Sequence, residues 1–194
     1  RMGALRAISA RGKVRPVGDW LQPCIEGGGK VLIFSAHREP LEELADRFPD
    51  ALLYTGELSK ADRQKLVDEF QTDPGVCYFL GSYGAAAVGI TLTKATRVVL
   101  LDLPWTPADK QQAEDRAHRF GQRGRGEVVA VLGQGTIDKR VLELLTRKEQ
   151  IIAQTVDGVD RETALRGSVA GDLLRGMVDV VDAVDVVEVV DVVE

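Results

Sequence analysis

Five short apolar runs, separated by segments of helical periodicity, constrain the fold of this 194-residue chain most strongly. Each run has the length of a strand and lacks polar alternation, as expected for a strand that is covered on both faces. The runs are KVLIFS (30–35), ALLY (51–54), VCYFLG (76–81), RVVLLDL (97–103) and EVVAVLG (127–133). The segments between and after them include PLEELADRF (40–48), SKADRQKLVDEF (59–70) and TIDKRVLELLTRKEQIIAQ (136–154). Strands that alternate with helices predict an α/β fold, with a parallel sheet and helices on both faces.

The carboxyl ends of the strands are the expected ligand-binding edge of such a sheet. Two unusual loops, one after Leu80 and one after Leu103, are predicted to lie at this edge. We therefore expect the functional residues to be found there.

Domain organisation is predicted from changes in composition along the chain. Residues 1–16 are basic and unpatterned, and we expect them to be a linker or lead-in. Residues 17–154 contain the strands and helices and form the predicted domain. Residues 155–194 are an extension that ends in an acidic Val/Asp repeat.

The acidic repeat, residues 178–194, dominates the net charge of −5, because it holds six of the 30 acidic residues and no basic one. The remaining chain has 25 basic and 24 acidic residues, a net charge of +1. A near-neutral body with local basic clusters is compatible with nucleic-acid binding. Acids at every third position match neither a strand nor a helix, which predicts a low-complexity tail with weak structural commitment. A partner-binding strand is the less favoured interpretation.

Cysteine content and hydropathy indicate the cellular compartment. There are two cysteines, with no Cys-x-x-Cys pair and no Cys/His cluster, which argues against a disulfide framework or a zinc site. No apolar run reaches the roughly 18 residues that span a bilayer, and no signal-peptide pattern is present. We expect a cytoplasmic protein if the source is bacterial or phage, and a nuclear one if it is eukaryotic.

The segment QQAEDRAHRFGQ (111–122) spaces Gln112, Arg116 and Arg119 four and three residues apart. On a helix these side chains fall within roughly 60° of one another. The adjacent stripe is apolar and consists of Ala113, Ala117 and Phe120. One face of the helix can therefore be buried while the neighbouring face presents an amide and two guanidinium groups. Taken alone, the pattern favours a solvated face on which Asp115 and Arg119 form an ion pair.

The stretch FLGSYGAAAVGITLTKATRVVLLDLPWTPADKQQAEDRAHRFGQ (79–122) resembles the carboxyl-terminal RecA-like lobe of Swi/Snf-type DNA translocases, a branch of the superfamily-two helicases. The matching motifs are Ser82 to Leu92, Asp102, Trp105 to Pro107, and Gln112 to Gln122. KVLIFS, Gly56 with the helix after it, and GTIDKRVLELLTRKEQI match the flanking motifs, so the resemblance covers roughly residues 17–154. It implies a RecA-like parallel sheet.

The resemblance also implies a role in ATP hydrolysis, with ATP and Mg²⁺ held mainly by a first RecA-like lobe. By the family pattern, Arg116 and Arg119 would be arginine fingers that reach the γ-phosphate, which are worth roughly 10³–10⁵ in rate. Arginine is needed because its planar fork makes bidentate contacts to phosphate oxygens. Gln112 would couple nucleotide to DNA, and Gly89 and Asp115 belong to the same nucleotide-binding and coupling set.

The resemblance implies DNA as a partner, contacted through backbone phosphates. The loop Ser82–Gly89 would contact one strand through its N–H groups and the Ser82 hydroxyl. It has Ala86 and Ala87 where the family usually has two glycines, a pattern that also resembles the small strand-annealing branch. Further DNA-binding candidates are Ser35, Arg38, Gly56 and Trp105. Arg38 fits a solvated surface residue about as well, and burial is the commoner fate of a tryptophan.

The sequence lacks the half of the machinery that binds Mg-ATP. GGGKV continues without Ser or Thr, and Cys24 stands where a P-loop would begin with glycine. The only Asp-Glu pair, in DEFQ (68–71), lies within a predicted helix. The chain is therefore expected to be a lobe that is inactive alone, with its first lobe in the same polypeptide or in another. The alternatives are a stand-alone nucleic-acid or protein-binding module, and a regulatory subunit that acts in trans.

Overall fold

The computed structural model describes residues 2–26, 29–86, 92–114, 127–156 and 185–191. The helices are α1 (Met2–Glu26), α2 (Arg38–Arg47), α3 (Lys60–Thr72), α4 (Tyr83–Ala86), α5 (Pro107–Glu114) and α6 (Asp138–Val156). The strands are β1 (Lys30–Ser35), β2 (Leu52–Tyr54), β3 (Tyr78–Ser82), β4 (Ala95–Leu100), β5 (Glu127–Leu132) and β6 (Asp185–Asp191). Within those ranges, no helix combines the length and apolar character that a membrane crossing requires.

The strands form one sheet in the order β2-β3-β1-β4-β5-β6. The first five are parallel, which confirms the predicted parallel sheet. At the centre, Ile33 of β1 lies between Leu80 of β3 and Val99 of β4. Because β1 is flanked on both sides, its carboxyl end lies in the middle of the predicted ligand edge.

Helices cover both faces of the sheet, as the continuous apolar runs predict. One face packs β-strand residues such as Phe34 and Phe79 against Phe70 of α3 and Leu145 of α6. The other packs Ile33 and its neighbours against α1 and α2, through Val14, Val17, Leu21, Leu41 and Leu44. Alternate residues of each strand thus enter two separate cores, so strands of this kind show no polar face in the sequence.

The expectation that residues 1–16 form an unpatterned lead-in is wrong. They belong to α1, which continues without interruption to Glu26. Ala10, Val14, Val17 and Leu21 lie at helical spacing and are at most 2% exposed. The same side of the helix also buries Arg6, Ser9 and Lys13. Since charged residues occupy part of the buried stripe, the apolar period that marks a helix is hidden in this half of α1.

One segment of the acidic repeat is described as part of the sheet, and the weak structural commitment of the repeat as a whole stays a prediction. The segment Asp185–Asp191 forms β6, the outermost strand of the sheet, which pairs antiparallel with β5. The register joins Glu127 to Asp191 and Leu132 to Asp185. Valine has high strand propensity, which favours extended backbone here even though the acids recur with period three. The rest of the repeat lies outside the described residues.

Candidate functional site

The carboxyl ends of β1 and β3 bring two predicted DNA-binding residues together. Ser35 and Ser82 are the last residues of their strands and are paired in the register of the sheet. Ser82 is half-buried, and α4 follows it directly. On the other side of β1, β4 ends at Leu100 and continues into the segment that carries Asp102 and Trp105. Residues from three strands therefore meet at the edge where the sequence predicts a ligand.

The Ser35 side chain forms its hydrogen bonds within the protein. Its side chain is fully buried, and its hydroxyl donates a hydrogen bond to Oδ2 of Asp102. The same hydroxyl oxygen accepts a hydrogen bond from the N–H of His37 at 3.0 Å. With both partners satisfied and no exposed surface, Ser35 has no free group with which to contact a phosphate. Its position supports a role in holding Asp102 rather than a direct DNA contact.

Asp102 is the centre of a buried polar network. It is 1% exposed, and the N–H of Ala36 lies 3.1 Å and 3.2 Å from its two carboxylate oxygens. The Tyr83 hydroxyl donates to its backbone carbonyl. Burial raises the pKa of the Asp102 carboxyl, and the hydrogen bond from Ser35 opposes that rise. The network thus ties the ends of β1 and β3 to the segment after β4.

Arg6 of α1 completes this network, although the sequence gives no sign of it. Its guanidinium is 3.5 Å from Oδ1 of Asp102 and donates to the carbonyl of Leu103. It also lies over the Trp105 ring, 4.4 Å from the ring centroid. A buried guanidinium is tolerated because ionic, carbonyl and aromatic partners surround it. The sequence offers no local signal for Arg6, because Ser9 and Lys13 interrupt the apolar period in this half of α1.

Trp105 lies at the surface next to this network, with 40% of its area exposed. Its backbone carbonyl accepts a hydrogen bond from Nζ of Lys148, on α6, at 2.6 Å. Trp105 is therefore an exception to the general tendency of tryptophan side chains to be buried. An exposed indole that is held by its neighbours is able to stack on a base or sugar, a use that is taken up below.

A second buried ion pair joins α1 to α6. Nζ of Lys13 lies 2.8 Å from Oδ2 of Asp138 and 2.9 Å from the carbonyl of Val131. The same carboxylate oxygen accepts from the Ser9 hydroxyl at 2.9 Å and from the Gly133 N–H at 2.8 Å. The side chains of Lys13 and Asp138 are 1% and 4% exposed. Sequence reasoning missed this pair, whose members are 125 residues apart.

Arg38 and Gly56 lie close together at the same edge of the sheet. Arg38 begins α2 and is 52% exposed; its guanidinium contacts Glu42 and Glu57, each at 2.6 Å. Hydrogen bonds to these two glutamates raise the pKa of Arg38. Glu57 follows Gly56, an exposed turn residue whose carbonyl accepts from Arg63. The Arg38 guanidinium is thus accessible to a phosphate. To bind one, it must give up its contact with Glu42 or Glu57.

Helix α5 starts at this edge and carries Gln112. Thr106 caps it by accepting a hydrogen bond from the N–H of Asp109 at 3.1 Å, and Pro107 occupies its first turn. Lys110 anchors it to α6 through Glu149, at 2.8 Å. Gln112 is half-buried, and its side-chain carbonyl has no hydrogen-bond partner within the described part of the chain.

Several predicted site residues lie outside the described residues: Gly89, Asp115, Arg116 and Arg119. Their predicted roles remain predictions. Asp115, Arg116 and Arg119 follow α5 in the sequence, and the last turns of α5 carry Lys110 and Gln112. Among the described residues, no group of three or more His, Cys, Asp or Glu side chains could hold a metal ion.

Comparison with known proteins identifies the family. A family profile described as "Helicase conserved C-terminal domain" matches residues 12–121. An ATP-dependent helicase of Schizosaccharomyces pombe is 40% identical over 127 residues, 63% of this chain and 12% of that protein. The human DNA annealing helicase and endonuclease ZRANB3 is 32% identical over 163 residues, 81% of this chain and 15% of that protein. The chain therefore spans a small part of the length of these relatives.

A solved structure agrees with this match. The crystal structure of the C-terminal part of the Fun30 ATPase domain superposes with a TM-score of 0.65 at 26% sequence identity. The match covers 84% of this chain and 53% of that one. The profile covers more than half of the chain and includes the edge described above. The chain belongs to the helicase conserved C-terminal domain family, as a carboxyl-terminal RecA-like lobe of the Swi/Snf type.

Proposed function

We propose that this chain is the second lobe of a DNA-stimulated ATPase that translocates on DNA. In this proposal, the chain supplies Arg116 and Arg119 to the γ-phosphate of ATP, which a first lobe binds together with Mg²⁺. The observation that carries the proposal is the start of α5 at the ligand edge of the sheet. From there, the helix leads through Gln112 towards the segment that contains both arginines.

The anchoring of α5 supports this role. An arginine finger must be held in position before the phosphoryl group is transferred, because the enzyme gains rate from preorganised charge. Helix α5 is capped by Thr106 and tied to α6 by the Lys110–Glu149 pair, whose lysine side chain is 4% exposed. A surface salt-bridge cluster would not require such a support. The relatives that are named as ATP-dependent or DNA annealing helicases point to the same substrates, ATP and DNA.

The DNA contacts in this proposal come from the same edge. Arg38, the Gly56 turn and Trp105 are exposed there, and Ser82 ends β3 directly before α4. Arginine and backbone N–H groups bind phosphates without reading sequence, whereas an indole stacks on any base. We therefore propose a DNA-binding edge that follows the backbone and has little sequence preference.

The purified chain is expected to hydrolyse no ATP, with or without DNA. Its sequence offers no P-loop and no acidic strand-end motif, so nothing in it holds Mg-ATP for transfer. Phosphate release should stay at the level of a buffer blank at millimolar ATP. Turnover that duplex DNA stimulates and that Arg119→Ala abolishes would show that the chain is a complete motor, contrary to the proposal.

Binding of duplex DNA by the chain alone is expected to be weak, independent of sequence and steeply dependent on salt. The test is a titration of labelled duplexes of two unrelated sequences at several salt concentrations. Arg38→Gln should lower the slope of log K against log[salt] by about 1, as expected when one phosphate contact is lost. Lys94→Gln is the matched control, because Lys94 is exposed just before β4, at the opposite edge of the sheet.

A sequence-selective complex that salt does not weaken would favour the alternative of a stand-alone binding module. If log K depends on log[salt] with the same slope in the Arg38 and Lys94 variants, Arg38 does not contact a DNA phosphate.

A further inference from the structure

The segment Leu101–Thr106, here named the Trp105 loop, is held by basic side chains from two helices. Lys148 of α6 donates to the carbonyl of Trp105 at 2.6 Å. Arg6 of α1 reaches the loop at Asp102, at Leu103 and at the indole ring. Arg6 lies about 100 residues away in sequence, and its side chain is 3% exposed. The loop between β4 and α5 therefore depends on a helix that belongs to the other end of the chain.

The geometry of Arg6 is suited to fixing the indole ring. A guanidinium is planar and donates in fixed directions, so bonds to Asp102 and Leu103 determine its plane. At 4.4 Å from the ring centroid, the cation covers one face of Trp105, while 40% of the residue stays exposed. A cation over an aromatic face is attracted by the ring quadrupole, and more strongly where water is excluded. The ring is thus held by a cation, while the residue keeps 40% of its area accessible.

The register of α1 strengthens this arrangement. Lys13 lies two turns after Arg6 on α1, and its ion pair with Asp138 is also buried. Helix α1 cannot slide along its axis without breaking both pairs. The position of the indole is therefore linked to the position of the whole helix.

We propose that Arg6 is a positioning residue that fixes the Trp105 ring and couples helix α1 to the DNA-binding edge. The proposal rests on the proposed function only for the use of the fixed ring, which is to stack on DNA. The holding of the ring is a property of this chain and is measured without DNA. The two can therefore fail separately.

The first test measures the accessibility of the ring by acrylamide quenching of tryptophan fluorescence. The full chain contains two tryptophans, so Trp20→Phe leaves Trp105 as the only one, and its emission is selected by exciting at a wavelength that tyrosine does not absorb. In this background, Arg6→Gln should raise the quenching constant roughly twofold, because the covered face becomes accessible. Arg6→Lys should give an intermediate value, since an ammonium lacks the planar fork. Arg11→Gln is the matched control on the same helix; Arg11 is 61% exposed and contacts Glu39 at 3.7 Å.

Loss of Arg6 leaves the buried Asp102 carboxylate without its ion-pair partner, so a second variant, Arg6→Met combined with Asp102→Asn, is used if Arg6→Gln does not fold. The double variant removes both charges and should show the same rise in quenching. An unchanged quenching constant in a folded Arg6 variant, or an equal rise in Arg11→Gln, overturns the proposal.

The second test asks whether Arg6 acts on DNA binding through Trp105. Trp105→Ala should weaken binding of a labelled duplex by about tenfold, the loss of one stacked base. Arg6→Gln should also weaken binding, but it should have less than about a twofold effect once Trp105 is alanine, because residues that act as a unit are not additive. Additive effects would mean that Arg6 contributes only its charge, which contradicts the proposal. If Trp105→Ala leaves affinity unchanged, the DNA contact of the proposed function fails, and quenching alone decides the role of Arg6.

Discussion

Replacing Arg119 by alanine in the two-lobed protein is expected to lower DNA-stimulated ATP turnover by about 10³-fold or more. Arg116→Ala should have an effect of similar size. A finger neutralises charge that develops on the transferred phosphoryl group, so its loss raises the barrier of that step. Affinities for ATP and DNA should change far less, because this charge stabilisation is needed most in the transition state.

Three comparisons separate this outcome from a structural effect. Lysine at either position should restore little turnover, since it lacks the planar fork. Arg123→Ala is the matched control, as it lies in the same segment but outside the motif Gln112–Gln122, and its turnover should stay near normal. The thermal stability of the Arg116 and Arg119 variants should fall by no more than about 1 kcal/mol, as for exposed charges. A loss of stability with near-normal turnover would support the surface ion pair with Asp115 instead.

Replacing Lys13 by methionine is expected to lower the free energy of unfolding by about 3–5 kcal/mol. The cost arises because Asp138 stays buried with its negative charge unpaired. Lys13→Met together with Asp138→Asn should recover much of the loss, since the amide keeps an acceptor for Ser9 and Gly133 but carries no charge. Chemical denaturation monitored by circular dichroism measures both values.

The control for Lys13 is Arg11→Gln, two residues earlier on α1. The Arg11 side chain is 61% exposed and its ion pair with Glu39 is long, at 3.7 Å, so its loss should cost less than about 1 kcal/mol. If Lys13→Met is as mild as Arg11→Gln, the first half of α1 is not part of the stable core.

The arrangement of strands and helices could be predicted from the sequence because the signal is local. Residues 31–34 of β1 and 98–100 of β4 are apolar without interruption, and both strands have neighbouring strands and helices on both sides. The cap of α3 at Ser59 is also local: the hydroxyl accepts from the N–H of Asp62 at 3.1 Å, three residues later.

The polar interior of the lobe could not be predicted because its partners are distant in sequence. Arg6 and Lys13 fall within a basic segment and give no local sign that each is buried against a carboxylate across the fold. The fate of Ser35 was missed for the same reason. Its neighbour in space is Asp102, 67 residues away, and in this pairing a residue that is predicted to contact DNA is buried. Buried charges are identified by their partners, and periodicity contains no information about partners.

Several predicted site residues lie at or after the carboxyl ends of strands, and their roles there stay predictions. Ser82 ends β3, and Trp105 and Gln112 lie in the segment and the helix that follow β4. Parallel α/β sheets generally bind ligands beyond the carboxyl ends of their strands. This edge could therefore be predicted from the order of the strands and helices alone. The roles of Arg116 and Arg119 depend on a nucleotide bound by another lobe, and these roles remain predictions.

The most direct test of the central proposal is the rate of ATP hydrolysis by a first lobe that carries a P-loop, measured with and without this chain. The first lobe alone, the two lobes mixed, and the two lobes joined in one polypeptide are compared, each with saturating duplex DNA and without it. The proposal predicts fast, DNA-stimulated turnover only where both lobes are present, and its loss when the joined protein carries Arg119→Ala. Turnover by the first lobe alone at the rate of the joined protein would contradict it.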